Sequence, residues 1–121
     1  MKPVLLLPFS GSALDVLLVL IMAHWVGDFG LQSDRMAVEK VPGYDATLPW
    51  YWWLLGHAAT HGLLVALITG SAWLGVLELI AHAVIDWCKG RFGFRLALDQ
   101  MLHVLCKFIW VMMLSMDGLL R

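Results

Sequence analysis

The fold is decided by residues 50–87, which read WYWWLLGHAATHGLLVALITGSAWLGVLELIAHAVIDW. Two apolar segments, 50–69 and 71–87, are each close to the length needed to span a membrane, and they meet at the short turn Thr69-Gly70-Ser71. Because so short a connection joins them, the segments are predicted to form antiparallel neighbouring helices. Each segment also carries two ligand-type side chains four residues apart, which are His57/His61 and His82/Asp86.

The same pattern recurs on both sides of this hairpin, in two further apolar segments. They carry the pairs His24/Asp28 and Asp99/His103. We therefore predict one all-α domain over 1–121, a bundle of four transmembrane helices with a polar His/Asp site in its cytoplasmic half. The predicted helices cover about 12–30, 50–69, 71–87 and 99–116.

Composition also indicates a membrane protein. Of the 121 residues, 61% are hydrophobic and 14% are charged, whereas a soluble domain has about 25% charged residues. The formal net charge is −1 and no dense basic run occurs, which argues against nucleic-acid binding. The predicted partner is therefore the lipid bilayer, and a chain of this size is also compatible with a homodimer.

Basic residues in the connecting loops predict the orientation. Loop 31–48 holds two of them and loop 88–98 holds three, whereas the opposite side has only Lys2 and Arg121. By the positive-inside rule, both loops face the cytoplasm and both termini lie outside. Within loop 31–48, Ser33 is predicted to cap a short helix from Asp34 to Lys40.

This topology places all four pairs in the cytoplasmic half of the bundle. Residues four apart lie on one face of a helix, so each pair can direct two groups at the same point. Imidazole and carboxylate groups are common ligands of divalent transition metals, here Zn first, with Fe or Mn as alternatives. The predicted ligands of one or two such ions are His24, Asp28, His57, His61, His82, Asp86 and His103.

Other roles for these polar side chains also fit the sequence. Transmembrane histidines can act as interhelical hydrogen-bonding groups or in a proton relay, and a haem would need axial ligands on opposed faces. Glu78 and Lys107 lie a turn deeper and are predicted to form a buried ion pair, with ligand or general base as a second role for Glu78. Asp99 is predicted to orient a nucleophilic water or to act as general base.

A rim of cationic and amide side chains is predicted around the cytoplasmic mouth of the site. Such a rim would hold the anionic head group of a lipid or a phosphoester. The positive-inside rule and contacts with lipid head groups explain the same cations without a substrate. The residues assigned to the rim are Gln32, Arg35, Lys40, Lys89 and Gln100.

Together these motifs resemble a family of small bacterial and phage membrane proteins, domain of unknown function 3307. The resemblance covers about residues 20–105 and implies a four-helix fold in a bacterial cytoplasmic membrane, without an established activity. The His-x3-Asp element is also similar to one in integral-membrane metal-dependent hydrolases. The motifs that carry the resemblance are His24-Trp-Val-Gly-Asp28-Phe-Gly-Leu-Gln32, Met36-Ala37, Lys40, His57, His61, His82-Ala-Val-Ile-Asp86, Lys89, Asp99-Gln100 and His103.

Two kinds of function are compatible with these features. The first is a metal-dependent hydrolase that acts on a lipid or phosphoester at the cytoplasmic leaflet. The second is non-catalytic, either a metal-stapled interaction module or a bundle that handles metal ions or protons. The outer parts of the helices are nearly all apolar, as in Leu14–Ile21 and Ile109–Leu114, which favours a closed pocket over a channel.

Overall fold

The computed structural model describes residues 11–118, and this part of the chain is helical, without strands. The first helix continues directly into a single π-helical turn, Val26–Gly30. Lys2 and Arg121, on which part of the predicted orientation depends, lie outside the described residues. The helices are α1 (Ala13–Trp25), α2 (Asp34–Glu39), α3 (Trp50–Thr69), α4 (Ala72–Phe92) and α5 (Leu96–Met116).

The four long helices form a ring of neighbours. α1 contacts α3 and α5, and α4 contacts the same two helices. Between α3 and α4 the chain turns at Gly70, whose φ of 72° lies in the left-handed region and suits a residue without a Cβ. The predicted all-α bundle and its α3–α4 hairpin are therefore confirmed.

Three of the four long helices are long and apolar enough to cross a membrane: Ala13–Gly30, Trp50–Thr69 and Leu96–Met116. α4 does not meet this description, so the prediction of four such helices is wrong for α4. Every 18-residue stretch within α4 includes Glu78, Asp86 and Lys89. These charged side chains interrupt its apolar sequence.

α4 is also longer than the sequence predicts. The prediction of a loop at 88–98 is wrong, because the helix continues to Phe92 and only a short turn leads into α5. Lys89 and Arg91 occupy the last turn of α4, where the helix dipole favours cations. Gly93 then ends the helix with a φ of 70°, a common way for a helix to stop.

The short helix predicted in loop 31–48 is confirmed as α2. Ser33 caps it as expected, since its Oγ accepts a hydrogen bond from the backbone N–H of Met36 at 3.1 Å. Lys40 stands one residue beyond the last helical position, as the C-cap. α2 therefore ends with a lysine side chain close to the helical bundle.

Glu39 ties the rest of this loop to α2. Its buried carboxylate accepts hydrogen bonds from the backbone N–H groups of Ala46 and Thr47, both at 2.6 Å. These backbone hydrogen bonds lower the pKa of Glu39 below its ordinary value. Asp45 in turn accepts a hydrogen bond from the backbone N–H of Trp50 at 3.0 Å, which fixes the start of α3. Nothing in the spacing of the sequence marks Glu39 for this role.

Apolar and polar residues divide the interior of the bundle between its two ends. The apolar end is built from the starts of α1 and α4 and the ends of α3 and α5: Val16, Leu20, Val65, Ile68, Leu74, Trp110, Val111 and Leu114. The other end buries His24, His57, His61, His82, Asp86, Asp99 and His103. The prediction that the four His/Asp pairs share one half of the bundle is therefore confirmed.

The close approach of α3 and α4 depends on glycine. A Cβ at Gly62 would lie 2.6 Å from the carbonyl oxygen of Gly75, and this backbone atom cannot move unless α4 shifts. We expect Gly62→Ala to lower the free energy of unfolding by about 1–3 kcal/mol through overpacking. The measurement is thermal unfolding in detergent, followed by circular dichroism.

Gly56→Ala on the same helix is the matched control. Its Cβ would meet only the Met36 Cε at 3.9 Å, so the substitution should be neutral or stabilise the helix by up to about 1 kcal/mol. Equal unfolding temperatures for Gly62→Ala and Gly56→Ala would contradict the tight α3–α4 contact.

Candidate metal site

All five imidazole rings of the chain meet inside the polar end of the bundle. α1 supplies His24, α3 supplies His57 and His61, α4 supplies His82 and α5 supplies His103, and each is at most 1% exposed. The His82 ring stacks on that of His61 at a centroid distance of 3.8 Å and lies 4.1 Å from that of His103. Its Nε2 is 3.1 Å from the Nε2 of His57. His82 is therefore the centre of the cluster.

Asp28 contacts histidines from three helices, α1, α3 and, through His82 at 3.6 Å, α4. Its Oδ1 lies 2.9 Å from His61 Nε2 and 3.1 Å from His57 Nε2. Its Oδ2 lies 3.3 Å from the Nε2 of His24. The carboxylate is carried by the π-helical turn Val26–Gly30, a distortion often found at functional sites. Because its two oxygens contact different histidines, the Asp28 carboxylate could be shared between two groups of ligands.

Asp86 forms a second junction. Its Oδ1 lies 3.1 Å from His103 Nε2, and its Oδ2 lies 3.5 Å from His57 Nε2. The same Oδ2 accepts a hydrogen bond from Lys40 Nζ at 2.7 Å. Lys40 thereby attaches the end of α2 to the edge of the cluster.

Asp99 opens α5 at the same edge. Its Oδ1 lies 3.4 Å from His103 Nε2, and its Oδ2 accepts a hydrogen bond from Lys89 Nζ at 3.4 Å. The side chain of Lys89 is 39% exposed and that of Asp99 only 3%. Asp99 is therefore a buried carboxylate with one cationic neighbour at the mouth.

Gln100 lies inside the cluster rather than only around it. Its Nε2 donates hydrogen bonds to Asp28 Oδ2 at 3.0 Å and to Asp99 Oδ2 at 3.1 Å. Its Oε1 lies 3.0 Å from His24 Nε2, and an amide oxygen can only accept. Gln100 thus connects α1 to α5.

Two other residues of the predicted rim stand apart. Gln32 donates a hydrogen bond to the backbone carbonyl of Asp28 at 3.2 Å, so it supports the π-helical turn from behind. The Arg35 side chain is 65% exposed and lies 3.6 Å from Glu39. The structure therefore brings Lys40, Lys89 and Gln100 to the cluster and leaves Arg35 outside it.

Glu78 supports the cluster from its inner side. The predicted ion pair is confirmed: Glu78 Oε1 lies 2.5 Å from Lys107 Nζ, and both side chains are 1% exposed. Trp110, which the sequence analysis does not single out, donates a hydrogen bond from Nε1 to Glu78 Oε2 at 2.7 Å. Glu78 Oε1 also lies 3.3 Å from His82 Nδ1. A carboxylate on this nitrogen fixes the tautomer that keeps a lone pair on His82 Nε2, as is usual for metal-bound histidines.

Four buried polar atoms of the cluster make no hydrogen bond of good geometry: His24 Nδ1, His61 Nε2, Asp99 Oδ1 and His103 Nδ1. Two of them still lie close to a polar atom, since His61 Nε2 is 2.9 Å from Asp28 Oδ1 and Asp99 Oδ1 is 3.4 Å from His103 Nε2. Such atoms are rare in native proteins, and a bound ion is one explanation for them. Three sets of side chains each have ligand atoms within 4.8 Å of one another and are positioned to hold a metal ion. These sets are Asp28/His57/His61/His82, His24/His82/His103 and Asp28/Asp99/His103.

The charges of the cluster nearly balance one another. Its carboxylates are Asp28, Glu78, Asp86 and Asp99, and the lysines in contact with them are Lys40, Lys89 and Lys107. Four negative charges against three positive ones leave one negative charge when the imidazoles are neutral. One divalent cation would change this balance from −1 to +1, so its binding would depend on direct contact with the carboxylate and imidazole ligands and not on the net charge.

A family model described as protein of unknown function (DUF3307) matches residues 16–119. The chain belongs to this family. The match includes every residue of the cluster and confirms the resemblance to domain of unknown function 3307, whereas the membrane location stays a prediction. No curated protein and no solved structure matches the chain. The similarity to integral-membrane metal-dependent hydrolases stays a prediction.

The ion pair of Glu78 and Lys107 allows a double-mutant test. Glu78→Gln keeps an acceptor for His82 but leaves Lys107 without a counter-charge, and Lys107→Met leaves Glu78 unpaired. Each single substitution should lower the free energy of unfolding by about 3–5 kcal/mol. The double variant should recover most of this loss, because a neutral replacement of a buried ion pair is often close to neutral overall.

Unfolding of the four proteins in detergent measures this coupling. The test fails if the double variant loses as much stability as the two single variants added together, because the two side chains would then act independently.

Proposed function

We propose that this protein binds one or two divalent transition-metal ions in its His/Asp cluster and uses them to hydrolyse a lipid or phosphoester at the cytoplasmic leaflet. The observation that supports it is the convergence of ligand-type groups from four helices, together with four buried atoms that make no hydrogen bond of good geometry. Zn is the expected ion, and Fe or Mn suits the same ligands.

Membrane insertion of the whole bundle is part of this proposal. Three helices have the required length and composition, and α4 packs against two of them. Two charged residues of α4, Glu78 and Asp86, are only 1% and 8% exposed, so lipid would not contact them. By the positive-inside rule, the basic side chains near the cluster favour a cytoplasmic position for that end: Arg35, Lys40, Lys89, Arg91 and Arg95.

In this proposal, the metal ion and the protein side chains have different catalytic roles. A bound divalent ion would polarise a phosphoryl or acyl oxygen and lower the pKa of a bound water to about 7. Asp99 is the proposed general base, because its buried Oδ1 makes no well-directed hydrogen bond, lies 3.4 Å from His103 and could accept a proton from a water bound beside it. Glu78 holds the His82 ring in place, and Lys89 would neutralise charge that develops at the mouth.

A non-catalytic, metal-stapled module is the second candidate. The contacts of Lys40 with Asp86 at 2.7 Å and of Lys89 with Asp99 at 3.4 Å cover part of the mouth. A structural metal site has a closed ligand shell, whereas a catalytic one keeps a position open for water. Turnover by the metal-loaded protein distinguishes the two.

Metal content tests the site itself. Detergent-purified wild-type protein should contain one or two equivalents of Zn, Fe or Mn by elemental analysis. Asp28→Asn should weaken metal binding by about tenfold or more, because Asp28 contacts four of the histidines. Asp34→Asn, an exposed position in the first turn of α2, should keep the full content.

If the wild type takes up no metal even after reconstitution with each candidate ion, the cluster is a hydrogen-bonded network. The proposed metal-dependent function is then excluded.

Activity tests the role of Asp99. We expect the metal-loaded protein to hydrolyse chromogenic aryl phosphoesters or short-chain phospholipids in detergent. Asp99→Asn should lower kcat by about 10²–10⁴-fold, the range for loss of a general base, with its metal content unchanged. Asp34→Asn again serves as control.

Loss of metal from Asp99→Asn would make Asp99 a ligand instead of the base. A metal-loaded wild type that hydrolyses none of these substrates would leave the non-catalytic candidate.

A further inference from the structure

We infer that the protein binds the acyl chain of a membrane lipid in an apolar groove along α5, and that this lipid reaches the cluster sideways, past Gln100. The inference names the substrate class of the proposed function, an acyl-chain lipid with a phosphate-bearing head group, and in that respect it rests on the proposed function. Binding of the chain itself depends only on the groove.

The groove runs beside the end of α1 and along the outer face of α5. It has a volume of about 490 Å³. From Leu98 to Phe108 it covers about 15 Å of helix at 1.5 Å per residue. Gln100 is the one residue among those lining it that has a polar, non-aromatic side chain: Trp25, Leu98, Gln100, Met101, Leu102, Val104, Leu105 and Phe108.

An acyl chain fits the chemistry of this groove. α1 and α5 are both apolar enough to cross a membrane, so the groove would face the hydrocarbon of the bilayer. A sugar, a nucleotide or a free phosphate would lose its hydration there with almost no hydrogen bonds in return. A methylene chain gains from contact with exposed walls such as Leu105, which is 54% exposed, and Phe108, which is 48% exposed.

Gln100 makes the groove continuous with the cluster. Its side chain lines the groove, and its amide contacts His24, Asp28 and Asp99 at 3.0–3.1 Å. A lipid whose chain lies along Leu105 would therefore present its ester or head group beside the Asp99 carboxylate. Both N–H groups of this amide already donate to Asp28 and Asp99, but its oxygen has a second lone pair that can accept a hydrogen bond from a hydroxyl of the head group.

The approach from the side of α2 is more restricted. Lys40 joins the end of α2 to Asp86 at 2.7 Å. The loop after α2 also rests on α4, since a Cβ at Gly90 would lie 3.0 Å from Val41 Cγ1. These contacts hold the α2 segment across this edge of the cluster, so the side facing the groove is the easier entrance for a lipid.

Photolabelling in a bilayer tests the inference. The metal-loaded protein is placed in nanodiscs of phosphatidylethanolamine and phosphatidylglycerol that contain phosphatidylglycerol with a diazirine on one acyl chain. After illumination, labelled peptides are mapped by mass spectrometry. We expect labelling to be concentrated on residues 98–108, and we expect Leu105→Trp to reduce it several-fold by filling the groove.

Leu55→Trp is the matched control, because Leu55 on α3 is similarly exposed, at 46%, and lies outside the groove. It should leave the labelling of 98–108 unchanged. Met101→Trp at another position of the groove is a second filling variant, in case Leu105→Trp does not fold. Labelling spread evenly over the lipid-facing helices, or unaffected by both filling variants, would overturn the inference.

Metal content measured on the same samples separates this inference from the proposed function. If the protein is loaded with metal but is labelled evenly, the acyl-chain site is rejected and the metal site is retained. If labelling is concentrated on residues 98–108 but the protein takes up no metal, the acyl-chain site is retained and the proposed hydrolase function is rejected.

Discussion

Mutual compensation of buried polar groups is the constraint on which the rest of this bundle depends. Asp28, in the π-helical turn that follows α1, contacts His57 and His61 on α3, and Glu78 on α4 contacts Lys107 on α5. Removing one partner of such a buried pair costs about 3–5 kcal/mol. A shift of one helix by a single residue would rotate its polar side chains away from their partners, so these contacts fix the relative register of all four long helices.

Glycine makes the required closeness possible. A Cβ at Gly27 would lie 2.5 Å from His61 Cε1. The imidazole therefore occupies the space that the side chain of any other residue at position 27 would need. The same ring stacks on His82 at 3.8 Å on its other side. The His61 ring therefore lies between the backbone of the π-helical turn and a second imidazole. The π-helical turn that contains Gly27 also contains Asp28, so one local distortion serves both contacts.

Much of the cluster could be predicted because its residues follow short-range spacings in the sequence. Pairs four residues apart reveal a shared helix face, and the positions of Glu78 and Lys107 on antiparallel helices reveal a shared depth. The end of α4 was not predictable in this way, because Lys89 and Arg91 resemble loop residues until the helix dipole is considered. Gln100 lies inside the cluster and Arg35 lies outside it. This difference depends on how each helix is rotated about its axis, which cannot be read from spacing or composition.

In the proposed membrane-spanning arrangement, the apolar end of the bundle would block the passage of protons through the protein. A hydrogen-bonded row of histidines and carboxylates across a membrane can carry protons, but here the network stops at Glu78 and Lys107. Beyond them the interior is packed with side chains such as Leu20, Ile68 and Leu114. In an energised membrane, such a bundle could hold a dense set of titratable groups on one side and still leave the proton-motive force of the cell intact.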